Sequence, residues 1–363
     1  MKSDRLFQIV RNLCIVLMLY NESFAYKRLK FSFSRQTDQE YQLAIIADPQ
    51  ITDAYSYRQK SGFLLYMTEF YSDIYMKRCF NAFKDVVDSI LFLGDLMDGG
   101  REWKSKQFQL EFQRFQRLFY TTNTDVYYVA GNHDIGFGST TVVGAIEDFK
   151  RNTKQELNYS VKLPHSYVLV VVNTMALEVD DSIKQLKDYK NDAMQFIKSF
   201  SNHTKEKIIL VSHVPFYRPP HTKCGGQRTT SQGIEQHKGY QYQNLISQAN
   251  TDFVFSYIKP EIVLSGDDHD FCQIKHPNGV VEVTVPTFSW LQGNDYPGMG
   301  LMRLNDDGLK LNVIRLPNQK LFYHSYISIA IAFMLVGIFT REYKKILIYI
   351  GQCLVVYAVL LLF

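Results

Sequence analysis

Apolar residues in this chain gather in short unbroken runs, and each run stops at a residue able to hold a cation. Leu43-Ala44-Ile45-Ile46-Ala47 ends at Asp48-Pro49-Gln50, and Ile90-Leu91-Phe92-Leu93 ends at Gly94-Asp95. Val126-Tyr127-Tyr128-Val129-Ala130 leads into Gly131-Asn132-His133-Asp134. Ile208-Ile209-Leu210-Val211-Ser212 meets His213, and Ile262-Val263-Leu264-Ser265 meets Gly266-Asp267-Asp268-His269-Asp270. Runs of this length, punctuated by Gly, Pro, Asp and Asn, read as buried strands. Between them, apolar residues recur at helical spacing near 63–87, 103–119, 142–151, 183–200 and 242–257. Val161 and 167–173 read as strands of a second sheet, and short strands follow to Leu316. Such alternation, with late meanders, predicts an α/β protein: a two-sheet sandwich flanked by helices. The stretch 218–240 holds Pro, Gly, His and Lys without periodicity, as a functional or mobile loop does.

The two ends follow a different pattern. Residues 323–340 and 346–363 are apolar, and 341–345 (Arg-Glu-Tyr-Lys-Lys) separate them. Each half approaches the ~20 residues that cross a bilayer, so a transmembrane hairpin is expected. By the positive-inside tendency 341–345 is a cytosolic loop, which leaves residues 41–317 lumenal. At the other end, Lys2, Arg5 and Arg11 precede a short apolar run from Leu13 to Tyr20. Residues 1–25 read either as a signal peptide cleaved after Ala25 or as an uncleaved signal anchor. Residues 26–40 read as a polar linker.

Composition narrows the class. A chain of 363 residues with 46% apolar content can bury a large core. Net charge is only +4 and no long basic run occurs, so nucleic acid is not an expected partner. Sequons at Asn21, Asn158 and Asn202 have meaning only in a secretory compartment, and Asn158 and Asn202 are the candidate glycosylation sites.

The five strand-end blocks carry the chemistry. Ligand-type residues at the ends of neighbouring strands converge on one sheet edge, as a di-metal site needs. The blocks resemble, in order, those of the calcineurin-like metallophosphoesterases (D-x-H, GD, GNHD, H and GHxH) over roughly residues 41 to 316. Gln50 and Asp267 stand where that pattern has His. A narrower resemblance rests on ADPQ, GDLMDGG, GNHDIGF, HVPFYRP, the following CGG, GYQYQN, SGDDHDFC and VPTFSW. It is to membrane-bound esterases that remove ethanolamine phosphate from glycosylphosphatidylinositol (GPI) anchors, whose fungal members share both departures.

The resemblance implies two divalent cations. Asp95 would bridge them, Asp48 and His269 would hold the first, and Asn132, His213 and Asp267 the second. Gln50 would add a weak amide ligand or act through a water. A carboxylate in place of imidazole at Asp267 hardens the site and favours Mn²⁺. His133 would serve the phosphoryl group or the leaving alkoxide, with Asp134 fixing its tautomer. Asp98, Asp268 and Asp270 would either support the metal-bound histidines or be solvated loop charges. Arg218 and His221 are candidate contacts for substrate phosphate.

If His213 and His269 share one site, Cys224 and Cys272 start close together, and a lumenal disulfide between them is expected. Cys79 is left as a core residue. The implied substrate is a GPI glycolipid in the endoplasmic reticulum or early Golgi, where trimming supports ER exit and leaves room for cargo-sorting partners. Two rivals stand: a non-catalytic trafficking scaffold, for which Gln50 is the best argument, and hydrolysis of another lipid head group.

Overall fold

The computed structural model describes residues 2–37, 39–56, 62–201 and 205–362. Its first sheet contains β1 (Tyr41–Ile46), β2 (Ser89–Phe92) and β3 (Asp125–Tyr128) in parallel. The second contains β4 (Tyr159–Leu163), β5 (Tyr167–Val171) and β6 (Lys207–Val211). A two-residue hairpin, β7 (Lys238–Gly239) with β8 (Tyr242–Gln243), stands apart. β9 (Ile262–Ser265), β10 (Cys272–Lys275) and β11 (Val281–Thr284) complete the second sheet in the order β10-β11-β9-β6-β5-β4. β12 (Gly298–Asn305) and β13 (Gly308–Arg315) return to the first, whose order is β13-β12-β1-β2-β3.

Strand periodicity builds the layers. On β1, Leu43 and Ile45 face the second sheet and pack with Leu169, Val171, Ile209, Val211 and Leu264. Ala44 and Ile46 face outward, into a core shared with Met76, Phe80, Phe112 and Phe115. On the second sheet, Val168, Val170, Ile208 and Leu210 face outward against Ala193, Ile197 and Val254. Because side chains alternate along a strand, one uninterrupted apolar run serves two cores. The result is the two-sheet α/β sandwich flanked by helices that the pattern predicts.

The helices in chain order are α1 (Lys2–Leu19), α2 (Ala25–Lys27), α3 (Phe63–Asn81), α4 (Ser105–Leu118), α5 (Asn132–Ile135), α6 (Val143–Thr153), α7 (Lys187–Lys198), α8 (Gln248–Tyr257), α9 (Gln319–Thr340) and α10 (Tyr343–Leu362). α9 and α10 are long and apolar enough to cross a membrane. They begin four and three residues before the apolar runs. Asn318 caps α9, its Oδ1 accepting from Leu321 N at 3.1 Å. α1 packs on both, with Phe7, Cys14, Met18, Phe333 and Cys353 forming a small core. Asp4 lies 2.9 Å from Lys345, at the end remote from the sandwich.

Residues 26–33 correct the expected linker. Helix continues from α1 through Tyr20–Phe24 and α2 into a 3₁₀ turn, Arg28–Phe33. Tyr26, Leu29 and Phe33 are buried in the outer core of the first sheet, and Tyr26 donates to Gln319 Oε1 at 3.1 Å. The stripe at i, i+3 and i+7 is masked in sequence by the exposed Lys27, Arg28 and Lys30 between its members. The polar residues are one face of an amphipathic turn rather than a spacer.

Candidate metal centre

β1, β2, β3, β6 and β9 run parallel within their sheets, so their carboxyl ends open on one edge of the sandwich. The chain leaves that edge through left-handed backbone at Asp48 (φ 47°), Gln50 (φ 34°), Asp95 (φ 51°), Asp267 (φ 65°) and His269 (φ 66°). Such conformations cost non-glycine residues on the order of 1–3 kcal/mol each and gather where a site demands them. Two glycines make room. A Cβ on Gly94 (φ +98°) would overlap the His213 ring, and one on Gly131 would overlap the Asp95 carboxylate.

His213 shows how the centre is aimed. Its Nδ1–H donates to Leu93 O at 2.8 Å, which fixes the tautomer and turns the Nε2 lone pair inward. Nε2 then faces Asn132 Oδ1 at 3.2 Å, Asp95 Oδ1 at 3.3 Å and Asp267 Oδ1 at 3.6 Å. Asn132 is oriented in turn by its Nδ2, which donates to Gln241 O at 3.1 Å. These four residues are the set expected for the second cation.

The first cation's set lies beside it. Asp48 Oδ1 accepts from Asp267 N at 3.1 Å, while its Oδ2 is buried without a partner. Gln50 Nε2 donates to Asp95 Oδ2 at 3.3 Å, and its Oε1 is likewise buried and unpaired. His269 donates Nδ1–H to Gln292 O at 3.2 Å, leaving Nε2 free as a ligand. One ligand atom each from Asp48, Asp95 and His213 lies within 4.8 Å of the others.

Two buried oxygen acceptors without a protein donor, set in a nest of carboxylates, are the donor set of a hard cation, so these residues fit divalent metal. The electrostatics agree. Burial, with Asp95 and Asp267 nearby, pushes the Asp48 carboxyl well above its usual value, although His213 opposes this. A cation would reverse that shift.

His133 corrects the expected pairing. Asp134 does not touch it: Asp134 Oδ1 accepts from Leu96 N at 2.9 Å, and Oδ2 from Gly131 N at 2.9 Å. This ties the GNHD turn to the GD loop. The His133 ring meets Asp98 instead, with Nδ1 2.7 Å from Asp98 O and 3.0 Å from Asp98 Oδ1. Adjacent residues in the short helix α5 point about 100° apart, so neighbours in sequence seldom share a partner. Burial alone would lower the His133 pKa, but Asp95 and Asp98 outweigh it and raise it to about 9. Arg101, which the sequence reading missed, donates to Asn132 O at 2.8 Å and sits under the Tyr55 ring. Its signal was a cation directly after Gly99-Gly100.

Arg218 is not a phosphate contact. Its side chain is fully buried, 3.0 Å from Glu282, which also meets His276 Nε2 at 2.7 Å. The flanking Pro-rich stretch suggests an open loop, yet the chain folds Arg218 back into the second sheet. His221 is fully exposed and faces Glu235 at 3.4 Å.

Asp268 and Asp270 support no metal-facing histidine. Asp268 pairs with Arg228, and Asp270 Oδ2 accepts from Thr229 N and Thr230 N at 2.9 Å. They dock the loop at 228–230 onto the ligand turn. A Cys224–Cys272 disulfide, with Cα atoms 4.3 Å apart, fastens the same loop, and Cys79 is buried and free. Asn158 is half-buried, its Nδ2 donating to Asp192 and its Oδ1 accepting from Asn173 N. Asn21 is buried against Ser325, and Asn202 lies outside the described residues.

Comparison with known proteins agrees with this geometry. A model of the calcineurin-like phosphoesterases matches residues 42–271. Cell division control protein 1 of Saccharomyces cerevisiae is 32% identical over 321 residues, 83% of this chain and 64% of that protein. The chain therefore spans just under two thirds of that relative's length. Metallophosphoesterase 1 homolog of Caenorhabditis elegans is 27% identical over 352 residues, 92% of each chain. Metallophosphoesterase 1 of Rattus norvegicus is 27% identical over 264 residues, covering 68% of this chain and 66% of its own. The chain belongs to the calcineurin-like phosphoesterases and is a metal-dependent hydrolase of phosphoric esters.

Proposed function

We propose that the protein is a two-cation phosphodiesterase, anchored in the membrane by α9 and α10. On this reading it removes ethanolamine phosphate from GPI glycans on the lumenal side of the early secretory pathway. Asp48, His269 and Gln50 would hold one cation, Asn132, His213 and Asp267 would hold the other, and Asp95 would serve both. Mn²⁺ is the favoured metal, because oxygen donors outnumber imidazoles. Bound divalent cations neutralise the phosphodiester's charge and generate a nucleophile from water near neutral pH.

The chain's own residues do the rest. His133 keeps a proton on Nδ1 for Asp98, so its Nε2–H is the one available to the leaving alkoxide. Arg101 holds the Asn132 carbonyl and adds positive charge beside that ring. Asp134 locks the two loops together.

The single observation that carries the catalytic reading over a scaffold is the pair of unpartnered buried acceptors, Asp48 Oδ2 and Gln50 Oε1. A scaffold that held no cation would have no reason to keep that unmet cost. The ethanolamine-phosphate substrate, the early secretory location and the role in ER exit rest on the quoted sequence motifs. Helix continuity through residue 25, and the packing of α1 on α9 and α10, support retention of the N-terminal segment as an anchor.

Mass spectrometry of GPI glycans tests the substrate. Cells lacking the protein should accumulate glycans that retain the ethanolamine phosphate, and wild-type protein but not Asp95→Ala should clear them. An unchanged glycan profile would redirect the search to other lipid phosphodiesters.

A further inference from the structure

α3 lies across the top of the helical bundle. Tyr71, Tyr75 and Arg78, spaced i, i+4 and i+7, form its bundle-facing stripe. The Tyr71 ring meets Tyr323 in the first turns of α9, edge-on at 6.4 Å. Tyr75 donates to Pro317 O at 3.0 Å, and Arg78 reaches both Glu22 and Leu360 O near the end of α10. Leu64 lies seven residues before Tyr71, on the same stripe, two turns beyond the bundle.

In those two turns Phe63 to Met67 form an unbroken apolar and aromatic run, followed by Thr68 and Glu69. Phe63 is 78% exposed, Leu64 71% and Tyr66 61%. A series of ring contacts, Tyr66 stacked on Phe70, Phe70 edge-on to Tyr71 and Tyr71 edge-on to Tyr323, runs from this patch to α9. Large aromatic and aliphatic side chains contiguous with the start of a membrane-crossing helix suit the bilayer interface, where apolar bodies bury while polar tips stay wet. A water-facing surface would not hold such a patch without a partner.

We propose that the first two turns of α3 lie in the lumenal leaflet's interface and set the metal edge against the bilayer surface. The inference rests on the membrane anchoring and lipid-linked substrate proposed above, and it names the site's substrate class as phosphodiesters held at a membrane surface. Two connections carry the placement to the ligands. On one side, Asp73 of α3 accepts from Arg114, which also donates to Thr52 O at 2.6 Å, two residues past Gln50. On the other side, Trp290 packs on Tyr323 at 5.6 Å, and two residues later Gln292 O holds His269.

Full-length protein carrying Leu64→Cys, spin-labelled and reconstituted in phosphatidylcholine vesicles, tests the placement. Its three free cysteines are buried. The label at 64 should collide with oxygen and be shielded from an aqueous nickel chelate. A label at Asp307→Cys, at the far end of β13 from α9, should show the reverse. Equal exposure of both labels to the chelate would overturn the proposal.

A second variant, Phe63→Ser/Leu64→Ser/Tyr66→Ser, should hydrolyse soluble bis(4-nitrophenyl) phosphate as the wild type does. It should lose severalfold on a GPI-anchored protein in vesicles, and equal rates on both substrates relative to wild type would also overturn it. A lipid-buried label in a protein that leaves the glycolipid intact would uphold the surface and reject the glycolipid reading.

Discussion

His133 Nδ1 lies 2.7 Å from the backbone carbonyl of Asp98 and 3.0 Å from its carboxylate, whereas the carboxylate of the neighbouring Asp134 accepts from Leu96 N and Gly131 N. The two carboxylates therefore have separate duties, and separate losses. Asp98→Asn should lower activity by about ten- to a hundredfold, since it weakens one general acid without removing the cations. Asp98 adds to Asp95 in raising the His133 pKa above the usual imidazole value. The fall in rate with rising pH should therefore begin at lower pH in Asp98→Asn than in wild type. A pH–rate profile of the two proteins on one soluble phosphodiester checks both statements.

Asp134→Asn should act on folding. Burial and the nearby Asp95 raise the Asp134 pKa to about 7, while the Gly131 and Met97 amides oppose this. Replacing the carboxylate weakens the ties to Leu96 N and Gly131 N, each worth roughly 1.5–3 kcal/mol when charged. Denaturant unfolding of the metal-free protein should show a lowered midpoint.

The two departures from the family pattern have unequal consequences. Gln50 offers only an unpaired amide oxygen, so Gln50→Ala should lower activity less than Asn132→Ala, and Gln50→His should keep both cations. Asp267 lies 3.6 Å from His213 Nε2, and Asp267→Ala should lower occupancy to one ion. Metal analysis of purified variants measures this directly.

Arg218 and Glu282 form a buried pair at 3.0 Å, so Arg218→Met should cost about 3–5 kcal/mol of stability and leave KM unchanged. Burial opposes Glu282 ionisation, yet Arg218 and His276 outweigh it and hold the pKa below the usual glutamate range. A depressed folded-state pKa means the stabilisation is complete above the unfolded value near about 4.3 and is lost as pH falls through the folded one. Unfolding midpoints measured across acidic pH should drop in wild type and drop less in Glu282→Gln.

Sequence made the strand ends legible because one chemical rule, an apolar run stopping at a ligand, holds at every strand that feeds the site. The sandwich followed from the same runs. What escaped were relationships that depend on side-chain direction. Asp98 and Asp134 are equally plausible partners for His133 on paper, and only the twist of α5 decides between them. Arg218, in a stretch of prolines, looked solvent-facing because Glu282 is 64 positions away. Tyr26, Leu29 and Phe33 were hidden among cations that line the other side of their turn. Gln241, whose carbonyl aims Asn132, sits in a loop without any period to read.

The account stands or falls on metal-dependent chemistry at this edge. Hydrolysis of bis(4-nitrophenyl) phosphate by the intact protein, before EDTA, after it, and after added Mn²⁺, is the most direct measurement. The geometry predicts activity that EDTA abolishes and Mn²⁺ restores, with Asp95→Ala inactive throughout. Full activity in metal-free protein would contradict it.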